Sequence, residues 1–213
     1  MKDFPVFTTQ YGAASLIMKE IPYQKTAYVI IRDSLEPEKL IAECADFCLV
    51  CGAEKIYATG HEALERRPFH TAMWQMNCRA GLLADTDAAL WPVQADTLEY
   101  WREIYNQKVI RVPNGAWMTR ADADAMLQKG DGYFIHRGQT LLGIGRVSGD
   151  LIDWVAAVQP GAGADVVLAL AHGASEETLK LTVASANERA VRLYERLGFL
   201  KTRELSRWYR ISG

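Results

Sequence analysis

The stretch VQPGAGADVVLALA, residues 158–171, joins one apolar run to a second through Gly161 and Gly163. A helix beginning at about Ala164 would turn its first free N–H groups and its positive dipole end toward this loop, an arrangement suited to a phosphate. The glycines allow close approach of a ligand to the backbone. Yet the loop carries no Arg or Lys, and Asp165 stands where an anion would sit. Its carboxylate either caps the helix, consuming the N–H groups a phosphate would need, or points away and leaves them free. Left beside a diphosphate at a surface dielectric, it opposes binding by roughly 1–4 kcal/mol, which is about ten- to several-hundredfold in Kd.

A second set of reactive side chains is Cys44, Cys48 and Cys51 in ECADFCLVCG. The C-x3-C-x2-C spacing resembles the radical-SAM motif, in which three thiolates in a loop hold an iron–sulfur cluster. The same spacing puts all three on one face of a helix. The surrounding PEKLIAECADFCLVCG has a helical apolar pattern, with Pro37 near its start and Gly52 just past its end. Val50 also stands where that motif usually has an aromatic residue. These cysteines are therefore expected in a buried helix face, with no metal, and without disulfides in a cytosolic chain.

The elements that must position these groups follow from periodicity. In the first half, residues 26–32 read as a strand, 36–53 as a helix and 55–60 as a strand; in the second, residues 152–158, 164–174 and 179–185 repeat the order. An ungapped offset of 126 residues brings Tyr28 onto Trp154 and Gly60 onto Ala186, which suggests a degenerate duplication. A strand is expected near residues 89–93, then helices starting at Asp96 or Thr97 and at Thr119. A β-hairpin turning at Arg137-Gly138-Gln139 follows. The second half thus reads β-α-α-β-β-β-α-β-α-β. Two domains are expected, 1–85 and 86–213. A net charge of −2 argues against non-specific nucleic-acid binding. Neither an apolar run of about 20 residues nor a signal-peptide pattern stands out, so a cytoplasmic, membrane-free protein is expected.

After residues 179–185 comes ANERAVRLYERLGF, in which Asn187, Ala190, Leu193, Tyr194, Glu195, Gly198 and Phe199 are spaced as in the N-x-x-A-x-x-L-Y-E-K-x-G-F signature of the GNAT superfamily of N-acetyltransferases. Element order over residues 89–213 resembles that family too. The resemblance implies an α/β (α+β) fold with a mixed central sheet flanked by helices, here with a smaller related N-terminal half. It implies acetyl-CoA as cosubstrate. The pantetheine arm would lie along Ala156, Ala157 and Val158, and the pyrophosphate on Gly161, Ala162, Gly163 and Ala164. Asn187 would cap a helix and touch the ligand, and Tyr194 would reprotonate the leaving thiolate. Residues 188–197 suit a helix with Ala190, Leu193 and Leu197 inward and Gly198 at its left-handed end, before a final strand pair starting at Phe199. The loop departs from the family's R/Q-x-x-G-x-G/A turn: Gln159 is out of register, the basic residue is missing, and the stretch is short.

The general base is open between Asp150 and Asp153, whose faces the sequence does not settle, with His136 and His172 as alternatives. Trp101, Trp117, Tyr133 and Trp154 either line an acceptor groove or fill the core. The resulting expectation is an N-acetyltransferase acting on a small-molecule or peptide amine by direct attack, with a homodimer left open. The alternative is a GNAT-fold module that has lost turnover and senses a ligand or a partner.

Overall fold

A computed structural model describes residues 5–212, which divide into two compact units. The first takes the described residues up to Met73 together with those from Glu204 onward; the second takes Trp74–Arg203.

The first unit begins with the antiparallel strands β1 (Val6–Thr9) and β2 (Gly12–Ile17), followed by the short helix α1 (Ile21–Gln24). Next come strand β3 (Thr26–Ser34), helix α2 (Pro37–Val50) and strand β4 (Lys55–Thr59). Pro37 occupies the first turn of α2, where a missing N–H costs nothing. The helix lays Leu40, Ile41, Cys44, Ala45 and Cys48 on Ala27, Val29 and Ile31 of β3 and Ile56 and Ala58 of β4. Each buried Leu or Ile side chain contributes about 1.5–3 kcal/mol. Cys44 and Cys48 are packed as expected, whereas Cys51 is an exposed cap residue past the helix end. Apolar surroundings push the thiol of Cys44 up to about 12 and that of Cys48 up to about 11. Such thiols are inert as ligands and nucleophiles.

Strand β5 (Phe69–Arg79) starts in the first unit and ends in the second, and the last strand, β11 (Leu200–Ser212), does the reverse. In the first unit the strand order is β1-β2-β3-β4-β11-β5. A strand pair was expected after Phe199. Instead β11 is a single 13-residue strand, and its neighbour is β5 from the first third of the chain.

The second unit adds β6 (Ala89–Pro92), α3 (Leu98–Val109), α4 (Arg120–Lys129), β7 (Gly132–Arg137), β8 (Thr140–Ser148), β9 (Leu151–Ala157), α5 (Gly163–His172), β10 (Thr178–Ala184) and α6 (Glu188–Arg196). Its sheet runs β11-β5-β10-β9-β8-β7-β6. Thr119 opens α4 with a reciprocal capping box to Asp122. One face of this sheet packs on α5 and α6 through Val166, Val167, Leu170, Leu181, Val183 and Phe199. The other packs on α3 and α4 through Trp101, Ile104, Met126, Ile144 and Ala156.

Candidate active site

The site is built on β9, which behaves differently along its two edges. Toward β8 it pairs antiparallel from Ser148↔Leu151 to Gly143↔Ala157, with a shift that gives Ile152 and Trp154 partners but leaves Asp153 opposite none. One extra residue of this kind is a β-bulge, which bends a strand and adds twist. Toward β10 it pairs in parallel only at Lys180↔Leu151 and Leu181↔Ile152. The shared register thus ends one residue before the bulge, and the two strands part over the remainder of β9. Val158 N–H donates to Leu142 O on the β8 side at 2.8 Å. Strand alternation therefore turns the main-chain groups of Val155 and Ala157 toward the edge that β10 has left. The equivalent pair in the first unit, β3 and β4, stays in parallel register at five positions from Thr26↔Lys55 to Ile30↔Thr59.

Beyond β9 the chain turns through Gly161, at φ +87°, into α5. Ala162 is the cap residue and offers no side-chain acceptor. The first closed turn is Val166 N–H to Ala162 O at 3.0 Å. Among the described residues, nothing accepts from the N–H groups of Gly163 and Ala164. These donors and the dipole behind them are what a phosphate requires. Asp165 does not cap the helix: its Oδ1 takes a hydrogen bond from Arg137 Nη2 at 2.8 Å. Arg137 Nε meanwhile donates to Asp87 Oδ1 at 2.7 Å. The Asp87 and Asp165 carboxylates hold the guanidinium pKa above its ordinary value. A basic residue therefore does stand at this helix end, supplied by β7 rather than by the loop.

A third side of the site is α6. Asn187 Oδ1 accepts from Ala190 N–H at 3.3 Å and so starts the helix. The helix ends in a Schellman turn, with Gly198 N–H on Glu195 O at 3.0 Å and Phe199 N–H on Tyr194 O at 2.9 Å. Gly198 takes φ +93° to close it. Leu193 abuts the start of α5: a Cβ added to Gly163 would lie 3.0 Å from Leu193 Cδ2. The next residue, Tyr194, is buried in the core beside Phe199, with ring centroids 6.0 Å apart. Desolvation pushes its phenol up to about 12, so the hydroxyl stays protonated at neutral pH.

The candidate bases are engaged elsewhere. Asp153 Oδ2 lies 2.9 Å from Arg146 Nη1, and Arg146 also grips Asp131 through Nε and Nη2 at 3.2 and 2.8 Å. Asp150 is paired with Lys180 at the closed end of the β9–β10 pair. His136 lies tilted against Trp91, at 5.2 Å between centroids, and His172 is the exposed last residue of α5. Trp101 is core, fully buried with Nε1 on Tyr133 O at 3.0 Å. Among the described residues no group of three or more His, Cys, Asp or Glu is arranged to hold a metal ion. No helix among them is long and apolar enough to cross a membrane.

No protein-family model matches the sequence, and neither does any curated protein. Solved structures do match its shape. A functionally unknown conserved protein from Staphylococcus epidermidis is similar over 98% of this chain and 93% of its own, with 13% identity and a TM-score of 0.59. A GCN5-related N-acetyltransferase from Sphaerobacter thermophilus is similar over 94% of this chain and 77% of its own (14% identity, TM-score 0.55). A tandem GNAT protein from the clavulanic acid biosynthesis pathway covers 95% of this chain, which covers 80% of it (13% identity, TM-score 0.53). The chain has the GNAT fold.

Within the GNAT fold seen here, sequence reasoning missed two parts of the site. Arg137 was read only as a hairpin turn residue, because its partner Asp165 is 28 positions away. Val155 was passed over in favour of Ala156 and Val158, although the run of main-chain hydrogen bonds to β8 puts Val155 and Ala157 on the open edge. An alternation count from a known β8 contact would have found it; the sequence alone does not supply that contact.

Proposed function

We propose that the protein is an acetyl-CoA-dependent N-acetyltransferase whose acceptor is a primary amine. The observation that carries this reading is the parting of β9 from β10 after Ile152↔Leu181. It exposes a row of backbone donors and acceptors beside a glycine turn and a helix with unused N–H groups. The residues present fit coenzyme A: an extended arm with amide groups can pair along Val155 and Ala157, and the pyrophosphate can sit on Gly163 and Ala164.

Acetyl-CoA would supply a thioester carbonyl activated for attack. The amine nitrogen bonds to the acyl carbon and the C–S bond breaks; the proton lost by nitrogen ends on sulfur. Main-chain N–H groups at the open edge of β9 would stabilise the negative oxygen that develops on the acyl carbon. Tyr194 would serve the departing sulfur, giving up its proton and regaining one from the nitrogen side. Its pKa of about 12 exceeds that of a thiol, so its part begins as a hydrogen bond and ends as a relay. The acceptor's own amine must arrive deprotonated, because Asp153 is tied to Arg146.

That ion pair also favours a second reading, a GNAT-fold module that binds coenzyme A without turnover. Thiol release from acetyl-CoA, followed with a chromogenic disulfide over a panel of amines at pH 7 to 9, separates the two. Amine-dependent release that rises with pH supports the enzyme. Saturable acetyl-CoA binding without any release supports the module.

A further inference from the structure

At the end of α5 away from the phosphate cradle, the second unit holds a cavity of about 710 Å³ between two turns. One is the 3-10 turn Ala80–Leu82 that follows β5; the other is the loop from Ala174 to Thr178 that joins α5 to β10. Ala80 N–H donates to Glu177 O at 2.8 Å and fastens the two turns together, while Leu83 N–H on Ala80 O at 3.1 Å closes the first. The volume lies within the range of small-ligand sites. Arg79, Glu176 and Glu177 all line it, and among the described residues no side chain pairs with any of the three. The charges are unequal, one guanidinium against two carboxylates. The negative dipole end of α5 adds to the carboxylates, because the helix closes at Gly173 and Ala174 already lines the cavity. Ser175 and Thr178 contribute hydroxyls, each a donor and an acceptor.

We propose that this cavity binds a free basic α-amino acid. The match is one of charge. The ligand's carboxylate takes the fork of Arg79 in two parallel hydrogen bonds, and its α-ammonium and side-chain cation meet Glu176 and Glu177. A diamine leaves the guanidinium unpaired, and a dicarboxylate is repelled by both glutamates. One exposed ion pair is worth little, but once the first is made the other two form within a single bound molecule. The ten residues of α5 span about 15 Å, so this ligand lies apart from the cradle and is not the amine that receives an acetyl group. The assignment is therefore independent of the transferase reading.

Calorimetric titration of the full-length protein with L-lysine, L-norleucine and cadaverine tests it. Norleucine keeps the carboxylate and α-ammonium and lacks the side-chain cation; cadaverine keeps two ammonium groups and lacks the carboxylate. Lysine is expected to bind saturably at one site per chain, and each of the others at least about tenfold more weakly, the scale of one charged hydrogen-bonded contact. Arg79→Gln, at an exposed position, is expected to weaken lysine by about the same factor and to leave cadaverine unchanged. Gly81→Phe fills the cavity: a Cβ added there meets nothing within 4 Å, and Gly81 is not held at positive φ. It is expected to abolish lysine binding with Tm unchanged; if Tm falls, Arg79→Gln alone decides. No saturable lysine binding, equal binding of the three ligands, or lysine binding untouched by Arg79→Gln would overturn the proposal. So would lysine binding that survives Gly81→Phe, since it places the amino acid elsewhere on the protein.

Discussion

Arg137 Nη2 lies 2.8 Å from Asp165 Oδ1, tying the end of β7 to the first turn of α5. This contact answers what an acidic residue does at a helix end whose free N–H groups suit a phosphate. The carboxylate is compensated by a guanidinium and held off the free N–H groups of Gly163 and Ala164.

Removing the guanidinium alone should uncover the carboxylate. Arg137→Ala is expected to weaken acetyl-CoA by about tenfold or more, the lower end of what a charge at that distance supplies. Asp165→Asn in the same background should restore most of the loss. Calorimetric titration of the wild type, the two single variants and the double variant checks this. A double variant as weak as Arg137→Ala would mean that Arg137 touches the ligand itself.

Tyr194→Phe should separate chemistry from binding. Loss of a positioned proton donor lowers kcat by roughly a hundredfold or more, while the Kd for acetyl-CoA stays within about twofold of wild type, because the phosphate and backbone contacts are untouched. A parallel loss of kcat and affinity would show that the ring positions the ligand instead.

The same phenol sets an alkaline limit on stability. Its pKa is raised from 10.0 to about 12 by burial, so between those values the unfolded chain ionises while the folded one does not. Stability from this group is complete below pH 10 and is lost as pH rises toward 12. Tyr194→Phe should flatten that part of the profile. The thiols of Cys44 and Cys48, raised from 9.0 by burial, begin the decline about one pH unit earlier. Urea unfolding between pH 8 and 11 measures both.

Thiol labelling offers a check on the first unit. Cys51 is exposed, whereas Cys44, Cys48 and Cys78 are buried. A maleimide at pH 7.5 should modify one thiol per chain quickly and the other three only after denaturation. Fast labelling of Cys44 or Cys48 would mean that α2 opens from β3 and β4.

The second unit was largely legible because its signals are local. The Asn187–Phe199 run carries its own cap, amphipathic face and Schellman glycine. The expected order of elements from residue 89 onward matches the observed one, except that one long strand stands after Phe199 where a strand pair was expected. What stayed hidden is non-local. Strand β5 opens on Phe69, His70 and Thr71 without alternation, and only its second half alternates, Ala72, Trp74, Met76 and Cys78 against Gln75, Asn77 and Arg79; its place between β10 and β11 is a non-local pairing that no local signal gives. Strands β1 and β2 are short and went unread for the same reason. Asp153 could not be assigned a role from sequence, since its direction depends on a bulge that only the β8–β9 register reveals. The charge balance at α5 needs Arg137 from a hairpin 28 residues earlier.

The central claim is that β9 and β10 part to hold coenzyme A while β3 and β4 do not. Calorimetric titration of acetyl-CoA into the full-length protein tests it most directly. The account predicts saturable micromolar binding with one site per chain, weakened by Arg137→Ala. No heat and no thermal shift would contradict it, and two equivalent sites would show that the closed β3–β4 pair opens as well.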